Sequence, residues 1–398
     1  MRIVFLGLAI NHLESPGNLF TELIIEFHNR GHEIVVVAPS YDEFEPGIKK
    51  EGGILVLRVP TLELFGDSNL YKGLANLLLP YQYKKALKES KIDLNFDLVM
   101  MPTPPITLVN LAQWLKSKYH SKIYLILRDI FPQNAVDLKI MRKNGIIHSY
   151  FRNKEKNMYR ISDFIGCMSQ GNIDYVLTHN QEISKNKLHL LPNWRPLQEY
   201  LTKDDEIQIR KEYSLNGKFI VIFGGNIGKP QKMENIVKLA MACSDIKDIY
   251  FLIFGDGSEN ENLKRIASKS GLTNFQLHDY LDDDKYFRIL QISDVGLISL
   301  SEDFTIPNIP SKALAYYNAK KPILAAIDKN TDLGSILESI GAGVWAEANN
   351  TQKLKEKLLL LYKNDNLRRE MGQKGYDYLK NNLTTAKAYE TIINNISK

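Results

Sequence analysis

The residues best placed to do chemistry form a glycine-rich run, Phe223-Gly224-Gly225-Asn226-Ile227-Gly228-Lys229-Pro230-Gln231-Lys232-Met233-Glu234, between an apolar strand-like segment and a helix-like one. Glycines let the backbone approach an anion, a following helix offers unpaired N–H groups and a positive dipole end, and Lys229 adds a point charge. These are the means of holding a diphosphate. The spacing matches neither the Walker phosphate loop nor G-x-G-x-x-G, so generic NTPase or dinucleotide chemistry is not supported. The competing reading is a tight strand-to-helix connection without ligand, although three glycines with Asn226 and Lys229 exceed what a turn needs.

A second glycine loop, Phe254-Gly255-Asp256-Gly257-Ser258, has the same strand-to-helix setting. Asp-Gly turns are common, so it reads equally as a plain turn or as a border of the same site. In a third segment, Asn308-Ile309-Pro310-Ser311-Lys312-Ala313-Leu314, Pro310 marks a helix start and Ser311 can cap it. Lys312 then falls in the first turn, where its charge opposes the helix dipole. A cation in that unfavourable place suggests a nearby anion; a solvated surface lysine is the plainer alternative.

Other clusters carry less. Asp282-Asp283-Asp284 precedes Lys285-Tyr286-Phe287 and a helical pattern, where acids favour a helix N-terminus, so no metal is expected there. The eight histidines, at 12, 28, 32, 120, 148, 179, 189 and 278, show no metal-ligand spacing. His32 reads as structural, whereas His12, just after the first apolar run, could face a cleft. Cys167 and Cys243 are far apart in apolar settings, so neither a disulfide framework nor a CxxC metal site is expected, and a reducing cytoplasmic compartment is.

These segments must be held by surrounding elements. Short, unbroken apolar runs at 3–9, 34–38, 54–59, 98–101, 123–127 and 164–168 alternate with helix-like stretches. The pattern restarts at 219–223, 250–254, 275–277, 295–300, 322–326 and 343–345, with helix-like segments such as 233–242 and 258–268 between them. Unbroken runs mean strands buried on both faces, hence parallel sheets sandwiched by helices. The expected fold is α/β, with two facing Rossmann-like doubly wound domains. Pro192 and Pro196 flank a hinge near 192–200, so the domains are drawn as 1–195 and 196–398, with terminal helices from 364–397 packed outside. Ligands in such folds bind at the carboxyl ends of the strands, where all three segments fall.

The 398 residues carry a net charge of +5, and all of it belongs to 1–195, with 24 Lys and Arg against 19 Asp and Glu; the remainder has 27 of each. No dense basic stripe with interleaved aromatics occurs, so nucleic acid is not an expected partner. The first half suits an anionic ligand or surface. No run approaches the ~18 apolar residues a membrane span needs, and the signal-like N-terminus lacks a cleavage site and reads as a first strand.

Several segments together resemble retaining family 4 glycosyltransferases of the GT-B fold: Arg30-Gly31-His32-Glu33, Arg128-Asp129-Ile130-Phe131-Pro132-Gln133, Glu155 with Tyr159 and Asp163, Gly225-Asn226-Ile227-Gly228-Lys229, Gly255-Asp256-Gly257, and Pro310-Ser311-Lys312 followed by Lys321-Pro322. Similarity is greatest to the bacterial branch that builds O-antigen and capsular polysaccharides, including amino-sugar transferases using UDP donors. The resemblance implies a UDP-sugar held mainly by the C-terminal domain and an acceptor, a polyprenyl-diphosphate-linked saccharide, on the N-terminal one. It implies that Gly225, Asn226 and Lys229 face the diphosphate, with Gln231 where many relatives have a second basic residue. Gly17 and Asn18 would belong to the loop closing over sugar and phosphate. Asp129 would lie near the anomeric carbon and, with Lys229, be catalytic. Gly255, Gly257, Tyr280, Ser311 and Lys312 would complete the nucleotide-sugar site.

One departure stands out. The family's two glutamates, separated by seven residues, would fall on Pro307 and Ala315, so both acids are missing and Glu302 and Asp303 are the nearest substitutes. The implied reaction is front-face substitution with retention, with no cofactor, no obligatory metal and no covalent nucleophile. Fixed N–H groups and a lysine at the departing phosphate would stabilise the transition state more than the ground state. A UDP-sugar epimerase and a non-catalytic nucleotide-sugar-binding partner share the architecture and remain open.

Segment 62–91 sets Leu64, Phe65, Leu70, Tyr71, Leu74, Leu77, Leu78, Leu79, Tyr81 and Tyr83 beside Lys84, Lys85, Lys88 and Lys91. It reads either as a core-facing helix with a solvated lysine face or as a surface resting on anionic lipid at the inner face of the cell membrane.

Overall fold

The computed structural model describes residues 1–14, 17–41, 44–64 and 69–397; Phe65 lies outside these. Two compact units are present, one formed by Met1–Pro192 with Thr385–Lys398 and the other by Asn193–Thr384.

The first unit contains an eight-stranded sheet of β1 (Arg2–Leu6), β2 (Glu33–Ser40), β3 (Gly47–Glu51), β4 (Ile54–Pro60), β5 (Leu98–Pro102), β6 (Lys122–Leu127), β7 (Phe164–Cys167) and β8 (Leu188–Leu190). Their order is β3-β4-β2-β1-β5-β6-β7-β8. β1 pairs in parallel with β2 (Ile3 opposite Ile34) and with β5 (Ile3 opposite Leu98), so the winding reverses between β1 and β5. Only β3 runs antiparallel. Its sequence, Gly-Ile-Lys-Lys-Glu, is mostly exposed and too polar to announce a buried strand. The hairpin is made by Gly52 and Gly53, both at positive φ (55° and 84°), as a two-residue turn of this hand requires.

The second unit holds β9 (Phe219–Gly224), β10 (Ile249–Phe254), β11 (Phe275–His278), β12 (Val295–Ser299), β13 (Ile323–Ile327) and β14 (Gly343–Glu347), all parallel, in the order β11-β10-β9-β12-β13-β14. Here the winding reverses between β9 and β12. Ile220 and Ile222 pack into a cluster with Leu252, Ile298 and Leu300 on one face, and Val221 and Phe223 join Phe251, Ile253 and Leu297 on the other. All six residues of β9 are buried. At about 1.5–3 kcal/mol per buried large apolar side chain, packing on both faces outweighs strand propensity in fixing it.

All twelve expected runs form strands; β3 and β8 are additional. The domain boundary differs from the expected one. Asn193 Nδ2 donates to the Ile309 carbonyl (3.0 Å) and Arg195 N to that of Leu383 (2.9 Å), so 193–195 belong to the second unit. The last helix, Thr385–Ile396, belongs to the first. Its Ala388 and Ile392 are buried, Tyr389 meets Phe27 edge-on at 4.7 Å, and the Tyr389 hydroxyl hydrogen-bonds His32 Nε2 at 2.9 Å. His32 is thereby structural. Among the described residues no helix is long and apolar enough to cross a membrane.

Candidate functional site

At the carboxyl end of β9 the three singled-out segments of the second unit come together. Gly225 N donates to the Phe254 carbonyl (3.0 Å), Ile227 N to that of Asp256 (2.8 Å), and Ser301 N to that of Pro230 (2.8 Å). A Cβ on Gly255 would collide with the Gly225 carbonyl, and one on Gly257 (φ 152°) with the Ile227 carbonyl and Asn226 Oδ1. The packing of one loop behind the other therefore requires glycine at both positions.

Lys312 begins the helix Lys312–Asn318, beyond the loop after β12. Its ammonium is buried without a hydrogen-bond partner, 3.5 Å from the centre of the Phe223 ring. A Cβ on Gly225 (φ 120°) would stand 3.8 Å from the same Nζ, so the missing side chain leaves an approach to the charge. Desolvation pushes the lysine pKa down to about 7. A cation over an aromatic face recovers about 0.5–2 kcal/mol, whereas an unpaired buried charge costs several. That imbalance would be relieved by an anion over Gly225, at the switch point where doubly wound sheets bind ligands. Ser311 precedes the helix in helical conformation, exposed and without a side-chain capping bond, contrary to its expected role.

Lys229, the lysine favoured from sequence, is exposed in the single turn Lys229–Gln231. Asn226 is exposed as well, and its Nδ2 donates to Gln231 Oε1 (3.3 Å), which also accepts from Gly228 N (3.2 Å). The Gly225, Ile227 and Gly228 N–H groups are all donated within the chain. Lys232 was overlooked. It adopts a left-handed conformation (φ 40°) and forms an ion pair with Glu302 Oε1, while Glu302 Oε2 is buried and unpartnered. Only a basic residue closing the loop hinted at it. Asp303 is exposed, and Pro307 and Ala315 are buried. Tyr280, 62% exposed, follows β11, two residues beyond His278, whose carbonyl accepts from Gly255 N (3.2 Å).

Asp282 caps the helix Asp283–Gln291 by accepting from Lys285 N (2.8 Å), and its carboxylate pairs with Lys285 Nζ (3.0 Å), as the helix-start reading expects. Among the described residues no group of three or more His, Cys, Asp or Glu side chains is arranged for a metal ion.

In the first unit, Thr103 Oγ1 accepts from Arg128 N (2.9 Å) and Asp129 N (3.2 Å), fixing the backbone after β6. Asp129 is an exposed residue whose carboxyl is crowded by protein, and that desolvation raises its pKa to about 6, offset in part by the Arg128 charge. Such a carboxyl exchanges protons near neutrality. Asn18 is otherwise employed: its Oδ1 accepts from Phe20 N and Thr21 N (both 3.0 Å) in a capping box that starts the helix Leu19–Asn29. Gly17 is exposed beside it, its N–H 3.5 Å from Thr21 Oγ1. His12 is half exposed, 3.7 Å from Glu51.

Comparison with known proteins accounts for both units. Residues 17–199 match the model described as Glycosyltransferase Family 4, and residues 204–378 match that described as Glycosyl transferases group 1. The chain is a glycosyltransferase of the GT-B type. It is 25% identical over 276 residues to a probable glycosyltransferase, WbjE, of Pseudomonas aeruginosa, covering 69% of this chain and 68% of that one. To the putative colanic acid biosynthesis glycosyl transferase WcaI of Escherichia coli it is 21% identical over 405 residues, covering 95% and 97%. The structure of HepE from Anabaena in complex with UDP and glucose superposes with a TM-score of 0.75 at 12% identity, covering 100% and 99%. Its likeness supports the fold of this glycosyltransferase.

Proposed function

We propose that this glycosyltransferase transfers a sugar, of N-acetylamino type, from a UDP donor to a lipid-linked saccharide with retention of anomeric configuration, in cell-surface polysaccharide synthesis. The observation that carries the donor site is the buried, unpartnered ammonium of Lys312 against Gly225 and Phe223. HepE, which shares the fold, is described with UDP and with UDP-glucose, and WcaI is named for colanic acid synthesis. The surface-polysaccharide role, the retention and the amino sugar rest on the family resemblance set out above.

In this reading the diphosphate lies over Gly225, with Lys312 beneath it and Lys229 and Asn226 at its exposed side. Tyr280 offers an exposed ring to the base. Glu302, held through one oxygen by Lys232, has the other available for a sugar hydroxyl, standing in for the missing acids. The acceptor oxygen attacks the anomeric carbon as the carbon–phosphate oxygen bond breaks. The acceptor proton passes to the departing phosphate on the same face, and Asp129 is the acceptor-side polar group. Developing charge on the phosphate is met by Lys312 and Lys229, the role a metal fills elsewhere.

Replacing Lys312 by Met tests the assignment. Loss of one such electrostatic contact costs on the order of 10²–10³ in turnover. UDP should also cease to raise the melting temperature. Wild-type turnover and undiminished UDP protection in the Met variant would remove the site from the second unit's switch point.

A further inference from the structure

The helix Lys312–Asn318 has only seven residues, and no side-chain bond caps its start. A helix this short is not stable by itself in water, so tertiary partners must fix where it begins. They come from one strap of chain, residues 193–200, the first of the second unit. Ahead of the helix, Asn193, 6% exposed, donates through Nδ2 to the Ile309 carbonyl (3.0 Å). At the far end the buried Asn318 donates through Nδ2 to Gln198 Oε1 (3.3 Å) and to the Pro196 carbonyl (3.5 Å), and its own carbonyl accepts from the Tyr200 hydroxyl. The strap is fastened at its centre. Arg195 N donates to the Leu383 carbonyl (2.9 Å), and the Arg195 guanidinium donates from Nε to Gln198 Oε1 (3.2 Å) and from Nη2 to Asp283 (3.4 Å).

A second clamp acts one residue before the first. Thr331 Oγ1, from the loop after β13, donates to the Asn308 carbonyl (2.7 Å). Two consecutive carbonyls are thus held by side chains from separate segments, and Pro310, with its fixed φ, leads from them into the helix. The Lys312 ammonium has no hydrogen-bond partner of its own, so its place is set by the backbone that carries it. A small shift of the helix start would move the charge away from Phe223 and the open face of Gly225. Polar side chains aimed at both ends of the one helix that bears this lysine do more than cover apolar surface.

We propose that Asn193 is a positioning residue for the donor cation: the strap 193–200, with Tyr200 at its other end, brackets the short helix and sets Lys312 against Gly225 and Phe223. The proposal rests on the donor-site reading of Lys312, and the strap itself touches no substrate. The experiment is calorimetric titration of the full chain with UDP from pH 6 to pH 9, with melting temperature as the measure of the fold. In the wild type, affinity should begin to fall near pH 7, where burial places the Lys312 ammonium. The other titratable groups on and beside the helix are the Tyr286, Tyr316 and Tyr317 phenols, which burial holds protonated throughout, and Lys321 beyond its far end. Burial lowers Lys321 to about 8, among Asp294, Glu206, Arg210 and Arg368, and a flat profile in Lys312→Arg separates it from Lys312.

Asn193→Ala releases the helix start and lets water reach the ammonium. UDP should bind on the order of tenfold more weakly at pH 7, the worth of one such hydrogen bond, and the fall in affinity should begin at a higher pH. Tyr200→Phe should move both in the same direction, with affinity a few-fold weaker, and it decides the question if Asn193→Ala is too unstable to titrate. Thr202→Ala removes the cap that accepts from Asp205 N (3.3 Å), so it should lower the melting temperature and leave UDP affinity and its pH profile as in the wild type. UDP binding lost in Lys312→Met but unchanged in Asn193→Ala and Tyr200→Phe would overturn the proposal and leave the donor site standing. Undiminished binding in Lys312→Met, or a slope retained in Lys312→Arg, would overturn both. A shift in Thr202→Ala as large as in Asn193→Ala would reduce the effect to general loosening and overturn the positioning role alone.

Discussion

Each unit buries a cation beside an aromatic ring near the carboxyl end of a strand, and the two are treated in opposite ways. Arg58, 1% exposed on β4, lies 3.8 Å from the Phe44 ring centre. It makes two bonds to Glu51 (2.9 and 2.8 Å) and donates to the Ile10 and Asn11 carbonyls (2.8 and 3.2 Å). Burial raises the Glu51 carboxyl, but the Arg58 bonds prevail and leave its pKa below the ordinary value. Lys312 has an aromatic face and nothing else. A buried charge completed by its own chain fastens a loop, here the one after β1; a buried charge left incomplete reserves its partner for a ligand.

Truncating each cation should separate these roles. Arg58→Met leaves Glu51 buried without its arginine, with Leu13 N still donating to it (3.2 Å), so denaturant unfolding should show a loss of about 3–5 kcal/mol. UDP affinity of the folded protein should be unchanged. Lys312→Met removes an unpaired charge, so at pH 6 the unliganded protein should gain about 1–3 kcal/mol while losing UDP binding. The folded lysine pKa of about 7 lies below its ordinary 10.5. The unfolded chain therefore binds more protons between those values, and wild-type stability from this group rises with pH across that window. The gap between wild type and the Met variant should be full below pH 7 and close as pH approaches the ordinary lysine range. A destabilised Lys312→Met protein at pH 6 would mean that the ammonium is partnered after all.

Why one charge was legible and the other was not follows from the range of the causes. Lys312 drew attention because a lysine in a first helical turn opposes the local dipole, a conflict visible within a few residues. Arg58 depends on Glu51 across a hairpin whose polar edge strand did not read as a strand, although Gly52-Gly53 was a sufficient turn signal. Strands buried on both faces, such as β9 and β10, were evident as unbroken apolar runs. The apolar stripe of Thr385–Ile396 showed a helix but not which unit it would cover. Lys232 was hidden because its place depends on a left-handed backbone and on Glu302, seventy residues on. The capping box of Asn18 and Thr21, by contrast, is a local signal, legible from their spacing alone.

The comparison sharpens with pH. Binding a diphosphate restores the charged form of Lys312, so its pKa rises in the complex. Phosphate second ionisation lies near 6, so above pH 7 the ligand is already ionised and the lysine dominates the change. UDP affinity, followed by calorimetry, should fall by about tenfold per pH unit from about pH 7 upward, with proton uptake on binding. Lys312→Arg should bind UDP without that slope, since a guanidinium stays charged throughout. Arg58→Met should keep the wild-type slope. An affinity flat from pH 7 to 9 in the wild type would show that Lys312 does not meet the ligand.

The smallest effect is expected at Lys229, which the sequence pointed to first. Its ammonium is exposed on a single turn, and a solvated cation contributes about 0.2–1 kcal/mol to a pairing that salt weakens. Lys229→Ala should therefore weaken UDP binding a few-fold, with unchanged melting temperature, and the loss should shrink as ionic strength rises. The corresponding loss at Lys312 should persist in salt, because that charge is shielded from solvent ions by Phe223 and the glycine loop. If Lys229→Ala instead abolished turnover at all salt concentrations, the loop would have to close on the donor and bury Lys229 in the complex. The distinction between exposed and buried cations would then describe only the unliganded protein.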